Sequence, residues 1–446
     1  MIAPSLRTRR AALVLLVPLA ACAQRTRTTV PAPASPASAG ATSAASTADS
    51  LPGVSPRALR LWRAAITIDT HNDMPTRMAD DRYDPTVRHP AGFTAREGHT
   101  DIPRLLETGL TAVFLSSFVD AKYAVMSPDS SYGRALLLAR HAHDVVRAAP
   151  DRLLFATTAA DIRRAKAEGK VAILIGVEGG HAIENSLDNL RRLHGMGVRY
   201  MTLTWNNGNP WAGAAVGVGD TRTGGLTDFG KDVIREMNRL GILVDLSHVS
   251  DSTFWDAVRT STQPVIASHS SARAINGHPR NMNDDMLRAV ARNGGVVNVN
   301  FYASFIDPAR RRAMARVDTA MREVNRTLRA QGLPAPRIAE RARFVRDSML
   351  AAIPDTPLSV LLDHFEHIAK VAGVDHVGIG SDFDGVDALP VGMDDVTRLP
   401  RIAQGLLDRG FSDADITKIL GGNMLRVMDQ AIDHAGPAAV TPARRP

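Results

Sequence analysis

The sequence has little cysteine, few aromatic residues and no long apolar run suited to a membrane span. Cys22 is its one cysteine among 446 residues, which excludes an intramolecular disulfide framework and a cysteine-rich zinc module. The apolar stretch at 11–21 falls well short of the roughly 20 residues that cross a bilayer. The net charge of +7 comes from scattered arginines, with no basic helix carrying interleaved aromatics. We therefore expect no nucleic-acid partner.

The N-terminus predicts an export signal followed by a tether. Residues 1–21 combine a basic start with a short apolar stretch, as a signal peptide does. The string LAAC that ends at Cys22 resembles a bacterial lipobox, in which this cysteine is acylated and becomes the mature N-terminus. The alternative is an ordinary signal peptide with a chance cysteine. Residues 22–51 and 435–446, rich in small residues and proline, predict disordered segments. This organisation predicts lipid anchoring to a membrane of the bacterial cell envelope, on the periplasmic or extracellular side.

The body of the chain, residues 52–434, alternates short apolar runs with amphipathic helical stretches. The runs are rich in Val, Ile and Leu with little alternation, which is typical of parallel strands covered on both faces. They are residues 65–69, 111–118, 171–177, 199–204, 242–246, 265–268, 295–300 and 376–380. Eight such repeats predict an α/β fold of the (β/α)₈ (TIM) barrel type. A doubly wound sheet is the alternative, but its glycine-rich phosphate loop is absent. An Arg-rich helical insertion at about 309–353 precedes the eighth run and has no chemical role that we can assign.

Residues that bind metals or move protons follow most of these runs. His71 and Asp73 end the first run, and their spacing of two places them on the same side of an extended chain. Glu178 ends the third run, His248 follows the fifth and His269 follows the sixth. In a barrel these strand ends form one face, where active sites are built. Three imidazoles and two carboxylates there predict a site for Zn²⁺ or a similar ion.

Five strings at these strand ends resemble the membrane (renal) dipeptidase family, part of the amidohydrolase superfamily of metal-dependent barrels. They are IDTHND at 68–73, GVEGGH at 176–181, DLSHVS at 245–250, SHSSA at 268–272 and GSDFDG at 380–385. The resemblance runs in order from about residue 64 to residue 427. It implies two zinc ions per chain, one on His71 and Asp73 and the other on His248 and His269. Glu178 would bridge the two ions, and the family also suggests a homodimer.

The resemblance also implies roles for two further residues. Arg280, in the string PRN at 279–281, would grip the terminal carboxylate of a short peptide with its bidentate fork. A water between two zinc ions has a pKa near about 7, so hydroxide would be available to attack the amide carbonyl. Asp382 would take the proton of that water and pass it to the leaving amine. The expected substrates are dipeptides, including those with a C-terminal D-residue.

Trp205 departs from the family pattern. The family usually has a histidine after the fourth strand, where it contacts the oxygen of the tetrahedral intermediate. Here Trp205 stands in its place among the substrate-binding residues, with Asn206 and Asn207 as alternative donors. The departure motivates a second hypothesis, a hydrolase on the same barrel that acts on β-lactams, lactones or other amides. A third is a lipid-anchored binding protein with a decayed site, although none of the five metal ligands is lost.

His181 closes the string GVEGGH, three residues after Glu178. Two interpretations stay open for this residue. It either supports the metal site from behind the ligands or stabilises the turn that follows the strand.

Overall fold

The structure, a computed structural model, describes residues 51–217 and 224–432. The predicted signal peptide, Cys22, nearly all of the tether and the tail at 435–446 lie outside the described residues. Within that described part, no helix has both the length and the apolar character that a membrane crossing requires.

The strands of the described residues form one parallel sheet. They are β1 (Ile68–Asn72), β2 (Ala112–Phe118), β3 (Leu153–Phe155), β4 (Val171–Glu178), β5 (Val198–Thr202), β6 (Leu243–Asp245), β7 (Ile266–Ala267), β8 (Val296–Val299) and β9 (Val377–Ile379). Eight of them close into a ring in the order β1, β2, β4, β5, β6, β7, β8, β9 and back to β1. The predicted (β/α)₈ barrel is therefore confirmed.

The remaining strand, β3, was not predicted from the sequence. It pairs with the first three residues of β4, whereas β5 pairs with the last four residues of that strand. Since β2 occupies the other edge of β4, β3 lies beside the start of β4 and outside the ring. A run of three residues is too short for its apolar pattern to stand out.

Helices connect the strands. They are α1 (Pro56–Ala64), α2 (Met74–Asp81), α3 (Ile102–Thr108), α4 (Ser130–Ala148), α5 (Ala159–Glu168), α6 (Leu187–Gly195), α7 (Asp228–Leu240), α8 (Asp251–Thr260), α9 (Asp284–Asn293), α10 (Ala303–Ile306), α11 (Pro308–Ala330), α12 (Ala335–Ala351), α13 (Leu358–Ala372), α14 (Pro400–Asp408), α15 (Asp413–Thr417) and α16 (Asn423–Ala431). The Arg-rich insertion before the last strand consists of α11 and α12, which pack against each other.

Capping residues set where several of these helices begin and end. Thr227 accepts a hydrogen bond from the backbone of Gly230 at the start of α7, and Asn283 does the same for Met286 in α9. Both helices end at a glycine in the left-handed conformation, and the next strand begins two residues later. These caps return the chain directly from the outer helical layer to the barrel.

The strands are buried on both faces. Val113 and Ile173 belong to the large core cluster between the barrel and its helices. Their neighbours Ala112 and Ala172 belong to a second cluster, to which seven strands contribute, so they point into the barrel. Apolar side chains thus cover both the inner and the outer face of the barrel strands. The polar residues are left at the carboxyl ends of the strands.

Candidate metal centre

The predicted metal ligands come together at the carboxyl ends of four strands. His71 lies in β1 and Asp73 follows that strand directly, while Glu178 is the last residue of β4. His248 and His269 lie just beyond β6 and β7. All five are buried, with at most 5% of any of them exposed. Residues far apart in the chain therefore share one enclosed polar site.

Glu178 lies at the centre of the cluster. Its Oε2 atom is 3.3 Å from Nε2 of His71, and its Oε1 atom is 2.8 Å from Nε2 of His248. The same Oε1 atom is 3.6 Å from Nε2 of His269. One carboxylate oxygen therefore faces the β1 side of the site and the other faces the two histidines from β6 and β7. This is the arrangement that a bridging carboxylate requires.

The Nε2 atoms of His248 and His269 face each other in the site, and both rings are neutral. Nε2 of His248 and Nε2 of His269 are 2.9 Å apart. Burial, followed by the charge of Arg280, lowers the pKa of His248 to about 3. Burial and the neighbouring His71 lower the pKa of His269 well below its usual value. Both imidazoles are therefore neutral, and a neutral imidazole is the form that ligates a metal.

Two buried atoms of the site have no hydrogen-bond partner among the described residues. They are Nε2 of His71 and Oδ1 of Asp73. Buried polar atoms are normally paired, and both of these atoms are available to coordinate a cation. Two triads have ligand atoms within 4.8 Å of one another, His71 with Glu178 and His269, and His71 with Asp73 and Asp382. The residues present therefore fit a divalent cation of the zinc type.

Side chains behind the ligands fix their orientation. Nδ1 of His71 lies 2.8 Å from the hydroxyl of Tyr200, and Nδ1 of His269 lies 2.8 Å from Oγ of Ser268. Ser268 in turn donates to the buried carboxylate of Asp245. Such contacts hold the ring so that its other nitrogen faces the metal.

Tyr200 was missed by the sequence analysis, although one signal pointed to it. Gly176 lies inside β4, opposite Tyr200 in the register of β4 and β5. A Cβ atom on Gly176 would lie 1.9 Å from the tyrosine ring. A glycine inside a buried strand often marks such a close approach. Here it lets the Tyr200 ring pass across the barrel to reach His71.

Asp382 lies beside the ligands, three residues beyond β9. Its Oδ1 atom is 4.0 Å from Nε2 of His71, and its Oδ2 atom accepts a hydrogen bond of 2.8 Å from Asn300. Burial raises the pKa of Asp382 to about 7, with His71 acting in the opposite direction. Asn300, which follows β8, was also missed, although it obeys the same rule of polar residues at strand ends.

Arg280 reaches the site from the loop after β7. Its Nη2 donates to the backbone carbonyl of His269 at 3.2 Å, and its guanidinium lies 5.4 Å from the centre of the Phe305 ring. The residue is 3% exposed, yet its Nε and Nη1 have no partner among the described residues. Burial lowers the pKa of Arg280 to about 10, so it stays cationic at neutral pH. Two free donors on a buried cation match an incoming carboxylate.

Trp205 lines a cavity of about 670 Å³, together with Asp73, Glu178, His248 and Asp382. We call this space the metal cavity. The Trp205 ring packs edge-on against Phe118, with 4.8 Å between ring centres. Asn206 lines the metal cavity and its Oδ1 lies 3.1 Å from Nδ1 of His248, whereas Asn207 lines a different cavity. Of the two alternative donors, Asn206 alone is placed beside the ligands.

Comparison with known proteins identifies the relatives of this chain. The probable dipeptidase PvdM from Pseudomonas aeruginosa has 23% sequence identity to this chain and superposes with a TM-score of 0.73. The match covers 84% of this chain and 98% of PvdM. A metallopeptidase from Rhodobacter sphaeroides, crystallised with a phosphinate mimic of the dipeptide L-Ala-D-Ala, is 26% identical. That match covers 82% of this chain and 99% of the other, with a TM-score of 0.65. Residues 55–439 match the profile of the membrane dipeptidases, peptidase family M19. The chain therefore belongs to the membrane dipeptidase family of metal-dependent dipeptidases.

Proposed function

We propose that the protein is a zinc-dependent enzyme that hydrolyses the peptide bond of dipeptides, including those with a C-terminal D-residue. One observation carries the proposal: Arg280, a buried cation with unpaired N–H groups, contacts the backbone of His269 at the edge of the buried ligand cluster. The similar metallopeptidase from Rhodobacter sphaeroides, which binds a mimic of L-Ala-D-Ala, supports the substrate class.

Two zinc ions would be held by the five ligands, with His71 and Asp73 on one side, His248 and His269 on the other, and Glu178 between them. Zinc bound there supplies a water of lowered pKa and polarises the scissile carbonyl. The chain's own residues do the rest. Tyr200 and Ser268 keep two of the imidazoles oriented, and the apolar barrel beneath keeps bulk water from the ligands.

Arg280 and Asp382 would act on the substrate directly. The unpaired N–H groups of Arg280 would bind the terminal carboxylate, which selects peptides with a free C-terminus. Asp382, held by Asn300 through Oδ2, would accept the proton of the attacking water at Oδ1 and deliver it to the leaving amine nitrogen. Trp205 would form a wall of the substrate site beside His248.

The proposal predicts metal-dependent hydrolysis of dipeptides. The purified protein should contain about two zinc ions per chain and cleave members of a dipeptide panel. Activity should disappear after chelation and return when Zn²⁺ is added. Metal analysis and amino-acid release measure both. A protein that holds no metal and gains no activity from added Zn²⁺ would contradict the proposal.

The same panel should include a β-lactam and a lactone, because Trp205 stands where the family has a histidine. Turnover of these compounds with none of the dipeptides would favour a different hydrolase on the same barrel. Full metal loading with no turnover of any compound would favour a binding protein.

We also propose that Cys22 is the site of lipid anchoring, on the strength of the LAAC string alone. Two or more acyl chains anchor a protein stably, whereas one holds it only marginally. Cells that express wild-type protein should incorporate labelled fatty acid into it and keep it in the membrane fraction. The substitution Cys22→Ser should abolish the label and yield soluble protein or uncleaved precursor. A cleaved Cys22→Ser protein that still resists a salt wash from membranes would contradict lipid anchoring.

A further inference from the structure

A second cavity, of about 990 Å³, lies on the same face of the barrel. We call it the side cavity. It is lined by the loop after β2 (121–128) with Ser131, by His181, Glu184 and Asn185 after β4, and by 207–210 after β5. Its volume is at the upper end of the range for small-molecule sites, about 300–1,000 Å³. The dipeptidase activity proposed above uses the metal cavity and leaves this larger space without a role.

The side cavity adjoins the metal cavity along two segments of chain. Asp120 and Asn206 line the metal cavity, whereas the next residues, Ala121 and Asn207, line the side cavity. At two places, therefore, consecutive residues of the chain line the two different cavities. A substrate bound over the metal ligands is close to this boundary.

The loop after β2, which supplies half of the residues that line the side cavity, lies across the barrel from the loop that holds Arg280. Arg280 belongs to the loop after β7, and in the ring of eight strands β7 and β2 are four places apart in either direction. The side cavity is built on the loops after β2, β4 and β5. A peptide with its C-terminal carboxylate on Arg280 and its scissile bond over the metal ligands would extend its amino-terminal end away from β7, towards the part of the ring that carries these loops.

The lining of the side cavity is mostly apolar. Its loop contributes Tyr123, Val125 and Met126, and the last two are 84% and 63% exposed. Large exposed apolar side chains around a cavity are typical of a binding surface. The Glu184 carboxylate does not offset this character, because it accepts hydrogen bonds from three backbone N–H groups at the start of α4.

Two buried polar atoms of the lining lack a partner among the described residues. They are Nε2 of His181 and Oδ1 of Asn207, and both residues are 6% exposed. Nδ1 of His181 lies 3.5 Å from Nδ2 of Asn207. In the tautomer of His181 that carries its proton on Nε2, Nδ1 accepts from Asn207. The pair then offers one donor and one acceptor, which matches the C=O and N–H of one peptide group.

We propose that the side cavity binds an additional residue on the amino side of a dipeptide, so that the enzyme also removes the C-terminal residue from tripeptides with an apolar N-terminus. His181 and Asn207 bind the extra peptide group, and the loop at 121–128 covers the apolar side chain. The reaction is the same hydrolysis: the C–N bond before the last residue breaks, hydroxyl from water joins the acyl carbon and a proton joins the leaving nitrogen. This inference rests on the dipeptidase activity proposed above.

The test compares the best dipeptide of the panel with the same dipeptide extended by Gly, Leu or Phe. The extended peptides should lose their C-terminal residue, and kcat/KM should rise about tenfold or more from the Gly to the Leu extension, as expected for burial of a leucine side chain. Hydrolysis of dipeptides with none of the extended peptides cleaved overturns this inference and leaves the dipeptidase proposal standing. No hydrolysis of either kind with zinc restored overturns the dipeptidase proposal itself.

Variants of residues that line the side cavity make the test specific to it. Val125→Asp combined with Met126→Asp should lower the ratio of tripeptide to dipeptide kcat/KM by about tenfold. Asn207→Leu should lower the same ratio by about fivefold, since it removes one hydrogen-bond acceptor. Leu137→Asp, an exposed apolar position on α4 that does not line the cavity, should keep the wild-type ratio. An unchanged ratio in both side-cavity variants, with dipeptide hydrolysis intact, would overturn the proposal.

Discussion

Exchange of Glu178 for glutamine should remove both zinc ions together and reduce kcat/KM by about 10³-fold or more. Glutamine has nearly the same shape but cannot offer two anionic oxygens. In the structure each oxygen of Glu178 faces a different set of histidines, at 3.3 Å and 2.8 Å. Loss of the bridge therefore weakens both positions at once. Metal titration of the variant should show one weak, joint binding step in place of two tight ions.

A matched control is available in Glu236→Gln. Glu236 is also largely buried, at 9% exposure, but its carboxylate binds Arg191 and Arg239 on the outer layer. That variant should keep about two zinc ions and its dipeptidase activity. A Glu178→Gln protein that retains one tightly bound ion would show that the carboxylate serves a single metal and does not bridge.

Removal of the substrate's carboxylate charge and removal of Arg280 should have the same effect, and the two losses should not add. A charge-assisted hydrogen bond contributes about 1.5–3 kcal/mol, which is roughly 10- to 150-fold in kcat/KM. Amidation of the dipeptide's C-terminus and the substitution Arg280→Ala delete the same interaction, so the second change has little left to remove. Arg280→Lys should recover only part of the activity, because it restores the charge without the planar fork.

Arg273 provides the control for this comparison. It lies in the same loop, but two of its guanidinium nitrogens each lie 2.7 Å from the carboxylate of Asp251. In Arg273→Ala the preference for the free carboxylate over the amide should equal that of the wild type. Additive losses in Arg280→Ala, or full activity on amidated dipeptides, would show that Arg280 does not bind the terminal carboxylate.

Much of the barrel was predictable because its strands are buried on both faces. Such strands read as continuous apolar runs, and a polar residue directly after one of them marks the catalytic edge. His71, Glu178 and His269 were found in this way, and the structure places them together. β3 was missed because its three residues carry too little pattern.

The role of Tyr200 was missed because it depends on the register between strands. In the sequence, Tyr200 cannot be distinguished from the other large residues of an apolar strand. Its contact with His71 depends on the pairing of Gly176 with Tyr200. The side cavity depends likewise on loop conformation. Glu184 and Asn185 both take the left-handed conformation, with φ of 48° and 57°. Asparagine is enriched in this conformation but glutamate is not, so the pair of left-handed residues could not be predicted from the sequence.

Because the ligands are far apart in the sequence, metal binding is coupled to folding. Ligands between His71 and His269 meet only in the folded barrel, so the unfolded chain has no comparable site. By mass action, an ion present at about 1,000 times its dissociation constant stabilises the folded state by about 4 kcal/mol. That is a large share of the roughly 5–15 kcal/mol that separates folded from unfolded domains. The free metal concentration therefore affects the free energy of unfolding as well as the fraction of active protein.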